Sequence, residues 1–562
     1  MLRRIVLAAV GAAGGLALWA LSDPLLDSLG PTRLWLFASA LVAGFFLACL
    51  MLTDLRRTWP ALAAGAAIAL PAALLLLAGS SRYGDIRDYL TTIYPVAAWL
   101  ALVLVPVPYV ASRLEGGGWL DPEAICDLTW SLTLRMIGAF AFTLVFLLVL
   151  LLCGLLLDLV GIEILTDLLA FDAEGWTIAG GLFGLSLAVI DEFGGDRSAD
   201  LVTRLVRLLA PVAAAVLIVF LAALPVRGLT DLFGTLSPAA IMLTMAVLAA
   251  VVVSAAVDAD EERQADGTVL LSARALTLLL IAPVGLAVTA LALRIGEYGW
   301  TLPRAAGALI AIVMFLYGIA YLSAALLRWP DGIRRVNPVL GLAIAAASVL
   351  WLLPGPGPET LTARSVEALV RGGAADEGDW WLLKDGLGRP GLAALERLRT
   401  DADPTRIAIL DDLEAAEDRG AFRRQAGTDI AADDIDRLAA LLPGVPRGAL
   451  ASLTEGDRDR LTAACGRVGT AGTPDCTAFA VEIDPRYEGP EYVLLRWDEG
   501  RVEYIGRALY PSGWGGLYLG RYAGEFSWTY DEFLALQQTP PEPRPAPLML
   551  IDLGGLTLMP QP

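Results

Sequence analysis

The chain has no histidine among its 562 residues, a single lysine (Lys384) and a single asparagine (Asn337). Without imidazole there is no histidine general base, no haem axial histidine, no zinc site of the H-E-x-x-H kind and no ordinary hydrolase triad. A coding bias toward arginine accounts for the scarcity of lysine. Charge is sparse as well: 18% of residues are charged and 56% are hydrophobic, against about 25% charged in a soluble domain. The formal charge of −19 disfavours nucleic acid, which rewards clustered arginine and lysine through counterion release. No metal or cofactor is implied. Asp401-Ala402-Asp403 opens like a calcium loop, but Arg406 occupies the position of the required glycine.

Long apolar runs are what the sequence has in abundance. A bilayer core of about 30 Å needs about 20 helical residues, and runs near 4–22, 33–53, 60–79, 92–112, 135–159, 176–192, 207–226, 237–257, 272–293, 304–327 and 338–354 meet that length. The first follows Met1-Leu2-Arg3-Arg4 and lacks a small-x-small cleavage site near Ala20, so it reads as an uncleaved span. Ionisable groups are almost absent from the span interiors, which weakens an ion-coupled mechanism.

Orientation follows from arginine in the short loops. With the N-terminus in the cytoplasm, the inner side carries Arg3, Arg4, Arg56, Arg57, Arg113, Arg135, Arg197, Arg204, Arg207, Arg263, Arg274, Arg328, Arg334 and Arg335. The outer side carries Arg33, Arg82, Arg87, Arg227, Arg294 and Arg304, a bias of 14 to 6. Arg135 and Arg274, just inside their helices, read as snorkelling anchors. An odd span count then places everything after Pro354 in the periplasm of a bacterial inner membrane.

Pro354-Gly355-Pro356-Gly357-Pro358 cannot continue a helix and marks the boundary. The expected organisation is an all-α polytopic bundle of about 11 transmembrane helices over 1–354, followed by a small α+β extracytoplasmic domain. Its first segment, 355–464, is mainly helical and its second, 465–562, is β-rich. Beyond Pro354, 34 acidic residues face 21 basic ones. On 404–419, Ile407, Leu410 and Leu413 share a face. Residues 492–497 and 501–505 alternate as a hairpin about Asp498-Glu499-Gly500, with Gly500 free to take positive φ. A Pro-rich connection over 539–547 precedes a last strand near 548–553. Cys465 and Cys476 are the only cysteines of the tail and suit a disulfide in an oxidising compartment. Gly11 with Gly15, and Gly180 with Gly184, permit close helix approach.

Two outer loops gather polar groups. The loop 294–304 holds Arg294, Glu297, Tyr298 and Arg304, an acid and two bases able to hold a phosphate or carboxylate. Its structural alternative is an interfacial turn, with Gly299 at the bend and Thr301 capping the next helix. The loop 82–89 holds Arg82, Asp85 and Asp88, and the two are expected to share one periplasmic pocket.

Ile281-Ala282-Pro283, the stretch Arg294 to Thr301 with Arg304, and Tyr317-Gly318 resemble the hallmark of bacterial inner-membrane proteins grouped as domain-of-unknown-function 4153. The region from Thr360 to Leu398, with Ser365-Val366-Glu367-Ala368-Leu369 and Leu387-Gly388-Arg389-Pro390-Gly391-Leu392, is similar to the region after the last span in that family. The resemblance implies a multi-spanning membrane protein and supplies no activity or catalytic residue.

Three functions fit these features. The first is a non-enzymatic envelope protein whose periplasmic domain binds an envelope protein, an anionic lipid or a small molecule. The second is a transporter or flippase for an amphipathic solute or lipid, favoured by prolines in the spans such as Pro71, Pro106 and Pro283. The third is a lipid-linked transferase using Asp85, Asp88, Arg294, Glu297 and Arg304. The orientation predicts that a periplasm-active reporter is active when fused after Pro358 and silent after Arg57 or Arg335. The opposite pattern overturns it.

Overall fold

The computed structural model describes residues 2–22, 30–53, 58–158, 172–227, 237–257, 267–373, 375–400 and 403–416, with single positions and strand segments beyond them. The chain divides into two compact units, Met1–Ile407 and Ala408–Pro562.

Among the described residues of the first unit, 11 helices are long and apolar enough to cross a membrane. They are Arg3–Ser22, Arg33–Leu52, Trp59–Ser80, Tyr94–Leu114, Pro122–Asp158, Ala173–Ile190, Val206–Ala223, Pro238–Val257, Gly267–Gly296, Leu302–Leu327 and Asp331–Leu352. The protein is therefore a multi-pass helical membrane protein. Its outward faces stay apolar: Phe140, Leu144, Leu155 and Leu156 of the fifth span are 59–65% exposed, a surface that water would reject and lipid accepts.

The sixth and seventh spans belong to one helical element, Ala173–Arg227, so the end expected for the run 176–192 does not terminate the helix. A straight helix of that length would run about 80 Å, far beyond a bilayer. Each half instead packs on a different span. The first lies against the first span, and Ala210, Ala214 and Leu217 of the second share a buried cluster with Met242, Ala246 and Val253 of the eighth.

Glycine sets the closest of these packings. A methyl group on Gly180 would stand 2.2 Å from the Gly11 carbonyl oxygen, and one on Gly184 would stand 2.0 Å from that of Leu7. The two backbones therefore touch where the paired glycines fall, as the spacing suggested.

Arginine ties span ends together at the face opposite the start of Pro358–Arg371. Arg135 donates to Leu50 O at 3.3 Å, Arg207 to Ala255 O at 2.8 Å, Arg274 to Ala325 O at 3.3 Å and Arg334 to Val257 O at 2.9 Å. Each acceptor lies in the last turn of a neighbouring span, where carbonyls lack an intrahelical partner. Arg135 and Arg274 thus reach sideways to backbone and do not merely snorkel.

After the eleventh span come the helices Pro358–Arg371, Glu377–Trp381 and Gly388–Thr400, with a π turn at Leu382–Gly386. Pro358 at the start, Glu359 in the first turn and Arg371 in the last match the helix rules.

In the second unit, Leu410 and Leu413 are buried while Asp411, Asp412 and Glu414 are exposed. Cys465 and Cys476 form a disulfide, Cα–Cα 5.4 Å. Cys476–Val481, Glu491–Asp498 and Arg501–Leu509 make an antiparallel sheet in chain order, and Ile551–Asp552 pairs with Thr557–Leu558. Gly500 and the Pro-rich stretch 539–547 lie outside the described residues.

Two alanine substitutions separate packing from propensity. Gly180→Ala should lower the melting temperature of the detergent-solubilised protein, since forcing apart packed backbones costs about 1–3 kcal/mol. Gly285→Ala, where an added methyl meets nothing within 4 Å, should be neutral or stabilising by up to about 1 kcal/mol.

Candidate functional site

The two loops singled out in the sequence behave differently. Arg82 follows the third span and its side chain is 4% exposed. Its Nε donates to Gly79 O at 3.2 Å, its Nη2 to Trp351 O at 2.9 Å, and its Nη1 pairs with Glu359 Oε2 at 3.0 Å. Gly79 and Trp351 lie in the last turns of the third and eleventh spans, so one guanidinium satisfies two helix C-termini, where the backbone dipole favours a cation. Glu359 sits in the first turn of Pro358–Arg371, where an acid is favoured for the opposite reason.

Tyr83 Oη donates to the other carboxylate oxygen of Glu359 at 3.3 Å, and its backbone carbonyl accepts from Arg33 at 3.0 Å. Burial and then the Glu359 charge push the Tyr83 hydroxyl well above its ordinary range, so it stays a donor. Arg82 O accepts from Arg389 N at 2.8 Å, which attaches the start of Gly388–Thr400 to the same turn.

Asp85 is the N-cap of the short helix Ile86–Leu90, accepting from Arg87 N at 2.9 Å. Asp88 is half-buried, and that burial, with Asp385 and Asp85 nearby, raises its carboxyl above the usual range.

In the second loop Arg304 donates to Gly299 O at 2.7 Å, and Thr301 caps the tenth span. Arg294 is exposed and has no ion pair or hydrogen bond among the described residues. The side chains of Glu297 and Tyr298 lie outside the described residues. The turn at Gly299, φ +71°, is pinned by Ser365, whose Oγ accepts from Trp300 N at 2.8 Å. The loops are thus bridged by one helix: Glu359 holds the first and Ser365 the second, about 9 Å apart along the axis.

That bridging helix builds a cleft that reading the sequence missed. Its lining comprises Arg82, Thr360, Ala363, Arg364, Glu367, Ala368, Arg371, Arg389, Pro390, Ala393 and Arg397, around about 930 Å³. Of the loop residues singled out from the sequence only Arg82 lines it. Arg364, Glu367 and Arg371 recur at helical spacing on Pro358–Arg371, and Arg389, Ala393 and Arg397 do so on Gly388–Thr400. These two stripes of arginine in an acidic tail were the available signal.

Glu367 is the one acid of the lining and is 6% exposed. Arg397 grips it with Nε at 3.1 Å and Nη2 at 2.7 Å, and Arg371 reaches its other oxygen at 2.8 Å. Those bonds hold the Arg397 guanidinium even further above its ordinary range. Arg364 and Arg389 are exposed and have no carboxylate partner among the described residues. Five lining arginines, less the carboxylates Glu359 and Glu367, leave three positive charges around the cleft. Among the described residues no group of three or more acids or cysteines is placed to hold a metal ion.

The site belongs to a multi-pass helical membrane protein with an arginine-lined cleft beside its last span. Set against protein-family models, curated proteins and solved structures, the chain matches none.

Gly299 tests the bridge. A methyl group there would stand 2.0 Å from Ser365 Oγ, on a backbone conformation that favours glycine. Gly299→Ala should lower stability by about 2–4 kcal/mol, combining strain and clash. Adding Ser365→Gly should recover only part, because the strain of about 1–3 kcal/mol remains. Full recovery would show that sterics alone set the turn.

Proposed function

We propose that this protein is a non-enzymatic inner-membrane envelope protein that binds an anionic group, phosphate or carboxylate, in the arginine cleft. One observation carries the reading: Arg364 and Arg389, exposed and without a carboxylate partner, converge with Arg371 and Arg397 in a chain of net charge −19. Like charges gathered in one cleft repel one another, and a bound anion offsets that repulsion through charge-assisted, bidentate hydrogen bonds. Glu367 pairs with two of the arginines, Arg371 and Arg397.

Arginine bias in the short loops supports a cytoplasmic N-terminus and a periplasmic cleft. The Cys465–Cys476 disulfide supports the same compartment for the tail. We assign 355–464 as a mainly helical segment and 465–562 as a β-rich one, together the α+β extracytoplasmic part, and keep membership of the 4153 family within this reading. The transferase alternative loses support, because Asp85 is engaged as a helix cap. Transport keeps one specific support, an apolar cavity within the bundle.

The test is thermal stabilisation of the purified full chain by inorganic phosphate, which a specific site produces by mass action. Wild type should be stabilised, Arg364→Ala/Arg389→Ala should lose the effect, and Glu367→Gln should bind more tightly because Arg371 and Arg397 are released. Equal stabilisation of wild type and the double variant would reject the cleft as the site.

A further inference from the structure

A second cavity, about 1210 Å³, lies within the bundle between the second, fourth, fifth, seventh, eighth, tenth and eleventh spans. It reaches from Trp351 to Asn337 along the eleventh span, about 21 Å by helical rise, most of the depth of a hydrocarbon core. Several of its polar groups are engaged with one another. Tyr321 Oη donates to Asn337 Oδ1 at 2.7 Å, Asn337 Nδ2 donates to Ser254 Oγ at 3.2 Å, and Tyr109 Oη donates to Pro338 O. Pro338 lacks the N–H that would bond Arg334 O, and Cys126 Sγ donates there instead at 3.6 Å. What remains is an apolar wall. Leu100, Ile137, Val247, Val251 and Ile310 on it are still 38–60% exposed, so the cavity is open along its side.

The linings of the two cavities are linked through a pair of bonded residues. The Trp351 ring packs on Tyr94, centroids 5.4 Å apart, and both residues line the intramembrane cavity. The Trp351 carbonyl accepts from Arg82, which lines the arginine cleft. A hydrogen bond thus joins a residue of the anion site to a residue of the apolar cavity at the membrane edge, where Trp and Tyr are at home.

We propose that the occupant of the cleft is the headgroup of an anionic lipid whose hydrocarbon chain lies in the intramembrane cavity, entered past Tyr94 and Trp351. This rests on the reading of the cleft as an anion site and names its ligand class. A free anion uses the cleft alone. A lipid uses both cavities, and its affinity must depend on chain length and on the cavity wall as well as on arginine.

The experiment measures binding to the purified full chain of three probes: inorganic phosphate, a dihexanoyl phosphatidate and a dioleoyl phosphatidate. It uses wild type, Arg364→Ala/Arg389→Ala, and the cavity-filling variants Ala97→Phe and Ala347→Phe, with Ala97→Leu as a milder filler. The long-chain phosphatidate should bind wild type roughly ten- to a hundredfold more tightly than the short one. Fillers should lower long-chain affinity about tenfold or more while leaving phosphate binding unchanged. The arginine variant should weaken all three probes.

Failure separates cleanly. If chain length and fillers have no effect while the arginine variant abolishes binding, the ligand is a free anion and the lipid assignment is wrong. If the arginine variant binds all three as wild type does, the cleft reading itself falls. If a phenylalanine variant does not fold, Ala97→Leu decides: unchanged long-chain affinity counts against the lipid.

Discussion

A buried ion pair at the edge of the membrane, Arg82 with Glu359, holds the site in place. Both side chains are nearly fully enclosed, 4% and 3% exposed, and burying two charges costs several kcal/mol per ion unless their remaining hydrogen-bonding capacity is met. Here part of it is met: Arg82 donates to Gly79 O and Trp351 O, and Tyr83 Oη donates to Glu359. The pair therefore satisfies two helix C-termini and fixes where Pro358–Arg371 begins. With that start fixed, the stripe of Arg364, Glu367 and Arg371 faces Arg389 and Arg397, and Ser365 meets the Gly299 turn. The cleft is a consequence of the joint.

Arg82 follows a rule that runs through the bundle. Arg135, Arg207, Arg274 and Arg334 each donate to a carbonyl in the last turn of a neighbouring span at the opposite face. In lipid, exposed backbone carbonyls find no water, so a long side chain with several donors is the natural partner. An arginine-rich, lysine-poor sequence suits this use, because the planar fork binds two acceptors where an ammonium presents a point charge. Several of the arginines counted for orientation are thus also structural ties.

The eleven spans were legible because a run of about 20 apolar residues has few alternatives to crossing a bilayer, and the glycine pairs because their spacing repeats at one helical turn. The helical element joining the sixth and seventh spans was not legible, because the acidic pair Asp191-Glu192 follows the apolar run as a solvated helix end would. In the loops, the sequence singled out Arg82 but not its partners, since it bonds backbone and a carboxylate 277 residues away. Such a partner leaves no local trace. Arg364, Arg371, Arg389 and Arg397 were visible as helical stripes but were lost in the acidic average of the tail. The apolar cavity arises from faces of seven spans and has no signature in any one of them.

The arginine cleft and the apolar cavity, whose linings are linked by the hydrogen bond from Arg82 to Trp351 O, are the two parts of the lipid site proposed above. Everything in that account requires that Arg82 and Glu359 act as a pair. The direct measurement is a double-substitution cycle, Arg82→Met and Glu359→Leu, read by thermal stability and by amide hydrogen exchange over 358–371. The account predicts that either single change costs about 3–5 kcal/mol and exposes those amides, while the double variant recovers much of both. Single effects that simply add, to within about 0.5 kcal/mol, with the helix equally protected throughout, would contradict it.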